Sequence, residues 1–169
     1  CNKDGLNPNE VMKHKKKTGS VKGFKGAKNI TNEDVLELDV AILVPAALEN
    51  QITKANAEKI RAEVVLELAN GPTTPEADDV LYKNKVFLVP DILANSGGVT
   101  VSYFEWLQNN FGYYWSEEKV NQKLSDTIKG AFNTIYEIHK KEKVDMRVAA
   151  YIHAIKKVAD AVEIRGHGC

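Results

Sequence analysis

The sequence predicts an α/β fold: a parallel sheet of about three short strands with helical crossovers, followed by two long helices. Three observations carry the prediction. Compact apolar runs recur at Val40-Ala41-Ile42-Leu43-Val44, from Glu63 to Leu68 and from Val86 to Val89, each closed by proline, glycine or asparagine. A strand buried on both faces reads as a continuous apolar run, not an alternating one. Segments with helix start and stop signals separate these runs, as parallel connections require. Beyond residue 116, apolar residues return at spacings of three and four over two long stretches, the mark of amphipathic helices.

Taken in order, the chain opens on the turn signals Asp4-Gly5 and Asn7-Pro8, and a helix is expected from Pro8 to Thr18, ending at Gly19. Glycines at 19, 23 and 26 make the segment to Ile30 a surface loop. Thr31 or Asn32 caps a short helix through Leu38, with Glu33 and Asp34 in its first turn. The first strand covers Asp39 to Val44. Pro45 ends it, Ala46 and Ala47 begin a loop, and a helix is expected from about Thr53 to Ile60. The second strand runs out at Ala69-Asn70-Gly71-Pro72, and Thr74 caps a helix that has Pro75 at its first position and reaches about Asn84. The third strand stops at Pro90-Asp91, and the chain then passes through Asn95 and the pair Gly97-Gly98 into an amphipathic helix. Ser116 caps a long helix striped by Val120, Leu124, Ile128, Ala131, Ile135 and Ile138. A second, from about Asp145 to Ile164, carries Val148, Ile152, Ile155, Ala159 and Val162, so the two are expected to pack as an antiparallel pair before Gly166 and Gly168 loosen the tail.

Composition narrows the class. With 169 residues, 43% hydrophobic and 27% charged, the chain can bury one core with a helical annex. No run of about 18 uncharged apolar residues is present, and polar Asn2, Lys3 and Asp4 stand where a signal peptide needs an apolar stretch, so a cytoplasmic location with no membrane partner is the expectation. Cys1 and Cys169 sit at the two ends without ligand spacing and read as free thiols or as ends created by truncation. The 23 basic and 23 acidic residues balance, yet residues 1–30 hold eight lysines against Asp4 and Glu10. Only Phe24 accompanies those lysines, so a solvated helix face is favoured over a nucleic-acid site. His139 and His153 fall on helices without a nearby second ligand, and no metal site is expected.

Ligands of parallel sheets bind at the carboxyl ends of the strands. All three ends here carry small or amide residues: Pro45-Ala46-Ala47, Ala69-Asn70-Gly71 and Asn95-Ser96-Gly97-Gly98. Small residues let an extended ligand lie against the backbone, and an asparagine amide donates and accepts at once, which suits a ribose hydroxyl or a carboxamide. Turn chemistry alone would select the same residues. Three residues apart on the following helix, Val99 and Ser102 share a face and set an aliphatic contact beside a hydroxyl, a pair able to hold a short carbon chain ending in a carboxylate. No glycine-rich phosphate fingerprint, no nucleophile with an obvious base and no lysine or carboxylate in a clear catalytic setting is present. The chain reads as half of a larger fold, its first residues resembling the exit of a strand that lies outside it.

Three blocks, Leu43-Val44-Pro45-Ala46-Ala47-Leu48-Glu49-Asn50, Ala69-Asn70-Gly71-Pro72-Thr73-Thr74-Pro75-Glu76-Ala77-Asp78 and Pro90 to Trp106, resemble the hexameric bacterial and archaeal glutamate dehydrogenases, in order and at family-like separations. The likeness extends from Asp4-Gly5 through Asp145-Met146-Arg147-Val148-Ala149-Ala150-Tyr151. It implies NAD(P)-dependent oxidative deamination of L-glutamate to 2-oxoglutarate and ammonia. Residues 1–115 would be the C-terminal half of a Rossmann-like dinucleotide-binding domain, and 116–169 a helical pair packing back toward the cleft. On matching positions Ala46 and Ala47 would line the cofactor near its ribose, Asn70 would contact cofactor sugar and Asn95 the nicotinamide carboxamide, while Val99 and Ser102 would meet the substrate's side chain and distal carboxylate. The family's catalytic lysine and aspartate and its glycine-rich loop match nothing in this chain, so it is expected to be inactive without the remainder of the enzyme. Related leucine, phenylalanine or valine dehydrogenases are the nearest alternative, and a non-catalytic module for subunit association or regulation is a third. A hydroxyl at Ser102 suits a distal carboxylate better than a branched or aromatic side chain.

Overall fold

The computed structural model describes residues 1–166; Gly168 and Cys169 of the expected tail lie outside the described residues. The backbone divides into two units, Cys1–Leu38 and the segment from Asp39 onward.

In the first unit, α1 spans Pro8–Thr18, as the sequence predicts. The Asn7 side chain accepts hydrogen bonds from the Asn9 and Glu10 amides, and Gly19 closes the helix in the left-handed conformation, φ 77°, donating its N–H to the Lys15 carbonyl. The short helix α2, Asn32–Leu36, is entered through a reciprocal capping box between Thr31 and Asp34. The loop between the helices is tied back to the N-terminus, where Cys1 and Lys28 exchange two backbone hydrogen bonds of 2.6 and 2.9 Å.

The second unit holds the sheet. Strands β1 (Ile42–Leu43), β2 (Val64–Leu66) and β3 (Phe87–Val89) lie side by side in that order, all parallel. The register pairs Leu43 with Val65 and Val65 with Leu88. Each strand is shorter than its apolar run. The backbone bends at Ala41 and Glu63, yet flanking residues still bond across the sheet: the Val64 amide donates to Ala41 at 3.0 Å and the Phe87 amide to Glu63 at 2.9 Å. Residues 53–60 were expected to form a helix and instead form only a 3-10 turn at Ala57–Lys59. Local side-chain bonds compete with the helix there: Asn56 Oδ1 accepts from the Thr53 amide and Asn56 Nδ2 donates to the Gln51 carbonyl. The preceding residues are also pinned, since the Gln51 and Ile52 amides both donate to the Pro72 carbonyl.

Helix α3 (Pro75–Lys83) starts at the expected proline, but the Thr74 side chain makes no capping hydrogen bond; its backbone N–H donates to Ile52 instead, which turns the residue into the wall of the loop. Ala77 and Leu81, four residues apart on one face, are fully buried. After β3 the chain makes a single helical turn, α4 (Asp91–Ala94), and then α5 (Gly97–Phe111). The glycine pair therefore opens α5 rather than leading into it, and neither glycine adopts a positive φ.

Helix α6 (Glu117–Glu142) is capped by Ser116 as anticipated, and α7 (Met146–Arg165) by Asp145, whose carboxylate accepts the Val148 amide at 2.9 Å. The two helices pack through a core of Ile135, Met146, Ala149 and Ala150 against Val89 and Leu93. This corrects the expected stripe on α7. Val148, Ile152, Ile155, Ala159 and Val162 are exposed, Ile155 to 66%. Periodicity marks an apolar face without saying which of two neighbouring faces meets the sheet, and here alanines give the backbone its close approach.

Candidate functional site at the strand tips

The carboxyl ends of the three strands are contiguous. Pro45, at the end of β1, accepts the amides of Leu68 and Ala69 at 3.1 and 3.0 Å, placing Ala46 and Ala47 beside the tip of β2. Beyond β2, the Glu67 amide donates to Val89 at 3.1 Å. Across the gap between the second and third tips, Asn95 Nδ2 donates to Asn70 Oδ1 at 2.7 Å. Ala46, Ala47 and Asn70 are exposed and Asn95 is half-buried. The Asn70–Asn95 bond leaves an amide donor on Asn70 and a carbonyl acceptor on Asn95 without a partner among the described residues, a pairing complementary to a carboxamide or a vicinal diol.

Helix α5 leaves this floor at its N-terminus. A Cβ on Gly97 would meet only Leu124 Cδ1 at 3.9 Å, and one on Gly98 would meet nothing within 4 Å. Helix packing within the chain therefore gives no reason for the second glycine, whose surroundings are open. One turn on, Val99 is 69% exposed, and the exposed Ser102 hydroxyl donates to its own helix carbonyl at Gly98, 3.2 Å away, a weak bond it can exchange for an incoming acceptor. No bond ties Val99 or Ser102 to Asn70 or Asn95.

Beneath the floor lies a charged network that sequence reasoning missed. Glu67 is fully buried, with a relative exposure of 0%, and Arg147, on the first turn of α7, has a side chain only 15% exposed. The guanidinium reaches three carboxylates: Nη2 donates to Glu67 at 2.7 Å and to Asp78 at 3.1 Å, Nε donates to the other Asp78 oxygen, and Nη1 donates to Asp91 at 3.0 Å. The second Glu67 oxygen accepts the Asp91 amide at 2.8 Å, and the second Asp91 oxygen accepts the Gly71 amide at 2.8 Å. Glu67 was the legible signal, a carboxylate inside a buried strand run, which must find a cationic partner. Nothing local identified that partner, because Arg147 lies 80 residues away.

Burial alone would lower the Arg147 pKa, but hydrogen bonds to Asp78 and Glu67 outweigh it and hold the guanidinium above its ordinary range. Burial pushes the Asp78 carboxyl above its ordinary value of 3.8; the Arg147 hydrogen bond offsets this only in part, and the negative charges of Glu67 and Asp145 add to it. The folded chain thus holds a proton on Asp78 more tightly than the unfolded chain does. The stability from this group is complete below pH 3.8 and is lost as the pH rises through the raised folded value. The difference in urea midpoint between wild type and Asp78→Asn, followed across that window, should show wild type losing ground as the pH rises; a flat difference would contradict the shift.

His139 serves the core: its Nδ1 donates to the Val144 carbonyl and its ring stacks on Tyr136.

A profile of the glutamate/leucine/phenylalanine/valine dehydrogenases matches residues 1–166. The chain belongs to this family. The NAD-specific glutamate dehydrogenase of Staphylococcus aureus (strain COL) is 59% identical over 137 residues, covering 81% of this chain and 33% of that protein. Among solved structures, glutamate dehydrogenase from Peptoniphilus asaccharolyticus superposes with a TM-score of 0.79 at 39% identity, covering 98% of this chain and 36% of that one. The hetero-hexameric glutamate dehydrogenase of Thermus thermophilus, in a leucine-bound form, gives 0.88 at 28% identity, with 99% and 39% covered. L-tryptophan dehydrogenase from Nostoc punctiforme gives 0.68 at 26% identity, with 87% and 42% covered. This family member spans about a third of the length of the curated relatives it matches.

Proposed function

We propose that the chain is the C-terminal part of an NAD(P)-dependent glutamate dehydrogenase, in which the three strand tips form the floor for the nicotinamide half of the cofactor. The observation that carries this reading is the Asn70–Asn95 bond at 2.7 Å beside the alanine tip of β1, in a chain 59% identical to an enzyme named for NAD-specific glutamate dehydrogenation. The bound nicotinamide supplies the acceptor for a hydride from the substrate's α carbon. Residues 46–102 contribute the binding surface. Ala46 and Ala47 leave room for the ribose, Asn70 meets sugar hydroxyls, and Asn95 orients the carboxamide and with it the face of the ring. Val99 lies along the glutamate side chain and the Ser102 hydroxyl donates to its distal carboxylate. The helices from residue 116 onward border the cleft. The lysine and aspartate that move protons belong to the remainder of the enzyme, so this chain alone does not turn over. The name of the Staphylococcus relative supports NAD over NADP, and the Thermus structure supports a hexameric whole enzyme.

Leucine, phenylalanine and valine dehydrogenation is the competing activity within the family. Glutamate-dependent reduction of NAD by the full-length protein, measured beside these three amino acids, tests the reading; a preference for an apolar substrate would overturn it. Asn95→Ala in that enzyme removes one hydrogen bond to the cofactor, worth about 1–3 kcal/mol when its partner is left buried, so the KM for NAD should rise about tenfold to a hundredfold in steady-state kinetics. An unchanged KM would remove Asn95 from the cofactor site.

A further inference from the structure

We infer that Arg147 is a positioning residue for the dinucleotide, acting through Asp91 to set the Asn70–Asn95 amide pair. The inference rests on the dehydrogenase reading above and assigns a role to a side chain that touches neither cofactor nor substrate in it.

Both asparagines hang from Asp91. The Asp91 carboxylate holds the Gly71 amide at 2.8 Å, and Gly71 directly follows Asn70 in an exposed loop. The Asp91 backbone carbonyl accepts the Asn95 amide at 3.1 Å, so the third tip starts from the same residue. Asp91 in turn is fixed at two points, its amide by Glu67 at 2.8 Å and its carboxylate by Arg147 at 3.0 Å. Arg147 and Glu67 are themselves bonded at 2.7 Å, closing a ring of Arg147, Glu67 and Asp91.

The geometry needs a guanidinium. Its planar fork presents donors in fixed directions and here serves three carboxylates at once, each from a different element: Glu67 after β2, Asp78 on α3 and Asp91 after β3. A lysine ammonium supplies the charge without the fork and cannot span all three. Releasing Asp91 would let the Asn70–Gly71 loop move relative to Asn95, and a displacement of about 1 Å at a positioning group costs on the order of a hundredfold.

Two measurements test this. In the full-length enzyme, Arg147→Lys should raise the KM for NAD roughly tenfold to a hundredfold, with the KM for glutamate held within about twofold. In an Asn70→Ala, Asn95→Ala background the same substitution should add nothing further to the KM for NAD, because the route through the amide pair is already gone. Equal changes in both KM values, or additive effects, would overturn the inference.

The second measurement needs no turnover and stands if the dehydrogenase reading fails. Hydrogen exchange at the Gly71 amide should be slow in the wild-type chain despite the loop's exposure, and faster by about tenfold or more in Arg147→Lys and in Asp91→Asn, with the Val65 and Leu88 amides unchanged. Fast exchange in wild type would overturn the inference even if neither variant folds, as would slow exchange retained in both variants. Absence of glutamate-dependent NAD reduction in the wild-type enzyme would sink the proposed function while leaving this readout of the joint intact.

Discussion

Replacing Arg147 with methionine should destabilise the protein by about 3–5 kcal/mol, the cost of stranding buried charges when the cation bonded to them is removed. Methionine fills much of the volume, so packing loss is a minor part. What remains is Glu67 with no exposure beside two carboxylates that are mostly covered. The intact network is no proof of exceptional stability, since desolvating four charged groups consumes most of what their attraction returns; its removal is costly because the desolvation stays and the attraction goes. The deficit should shrink as the pH falls through the raised Asp78 value, where protonation discharges that acid. Urea denaturation of wild type and variant at neutral and acid pH reads both effects, and a loss below about 1 kcal/mol would show that the guanidinium is replaceable.

Leu81→Ala should cost about 2–5 kcal/mol by the same measurement. Leu81 is fully buried on the inner face of α3, in a unit whose other fully buried apolar side chains include Ile52 and Val65. Helix α3 packs against β3 and the turn at Ala57–Lys59, and β3 cannot relax inward without breaking its ladder to β2, so the cavity should stay open. A cost near 1 kcal/mol would mean that the crossover helix collapses onto the sheet.

These elements show where sequence reasoning holds. The strands at 42–43, 64–66 and 87–89 were legible because a strand covered on both faces must be apolar throughout, and few other structures produce such short bounded runs. Helices α1, α3 and α6 were legible from proline or serine at their starts, each answering a local need of the first turn, and α7 from the spacing of its apolar residues. The missing helix at 53–60 failed for an equally local reason, the side-chain bonds of Asn56, but that competition depends on Gln51 being held by Pro72, which is a tertiary fact. Residue types at the candidate site were readable: alanine, amide and glycine at three strand ends. Their contact was not, since Asn70 and Asn95 meet across 25 residues of chain. Arg147 lay further beyond reach. A basic residue one turn into a helix reads as solvated, and only the folded chain brings Glu67, Asp78 and Asp91 to it from separations of 80, 69 and 56 residues.

The central claim is that the tips of the three strands together carry the nicotinamide end of a dinucleotide. Hydrogen exchange of the full-length enzyme with and without saturating NAD tests it most directly. Slowed exchange confined to the peptides around 45–47, 69–71 and 95–98 is the predicted result; slowing at only one tip, or none at all while NAD demonstrably binds, would contradict it.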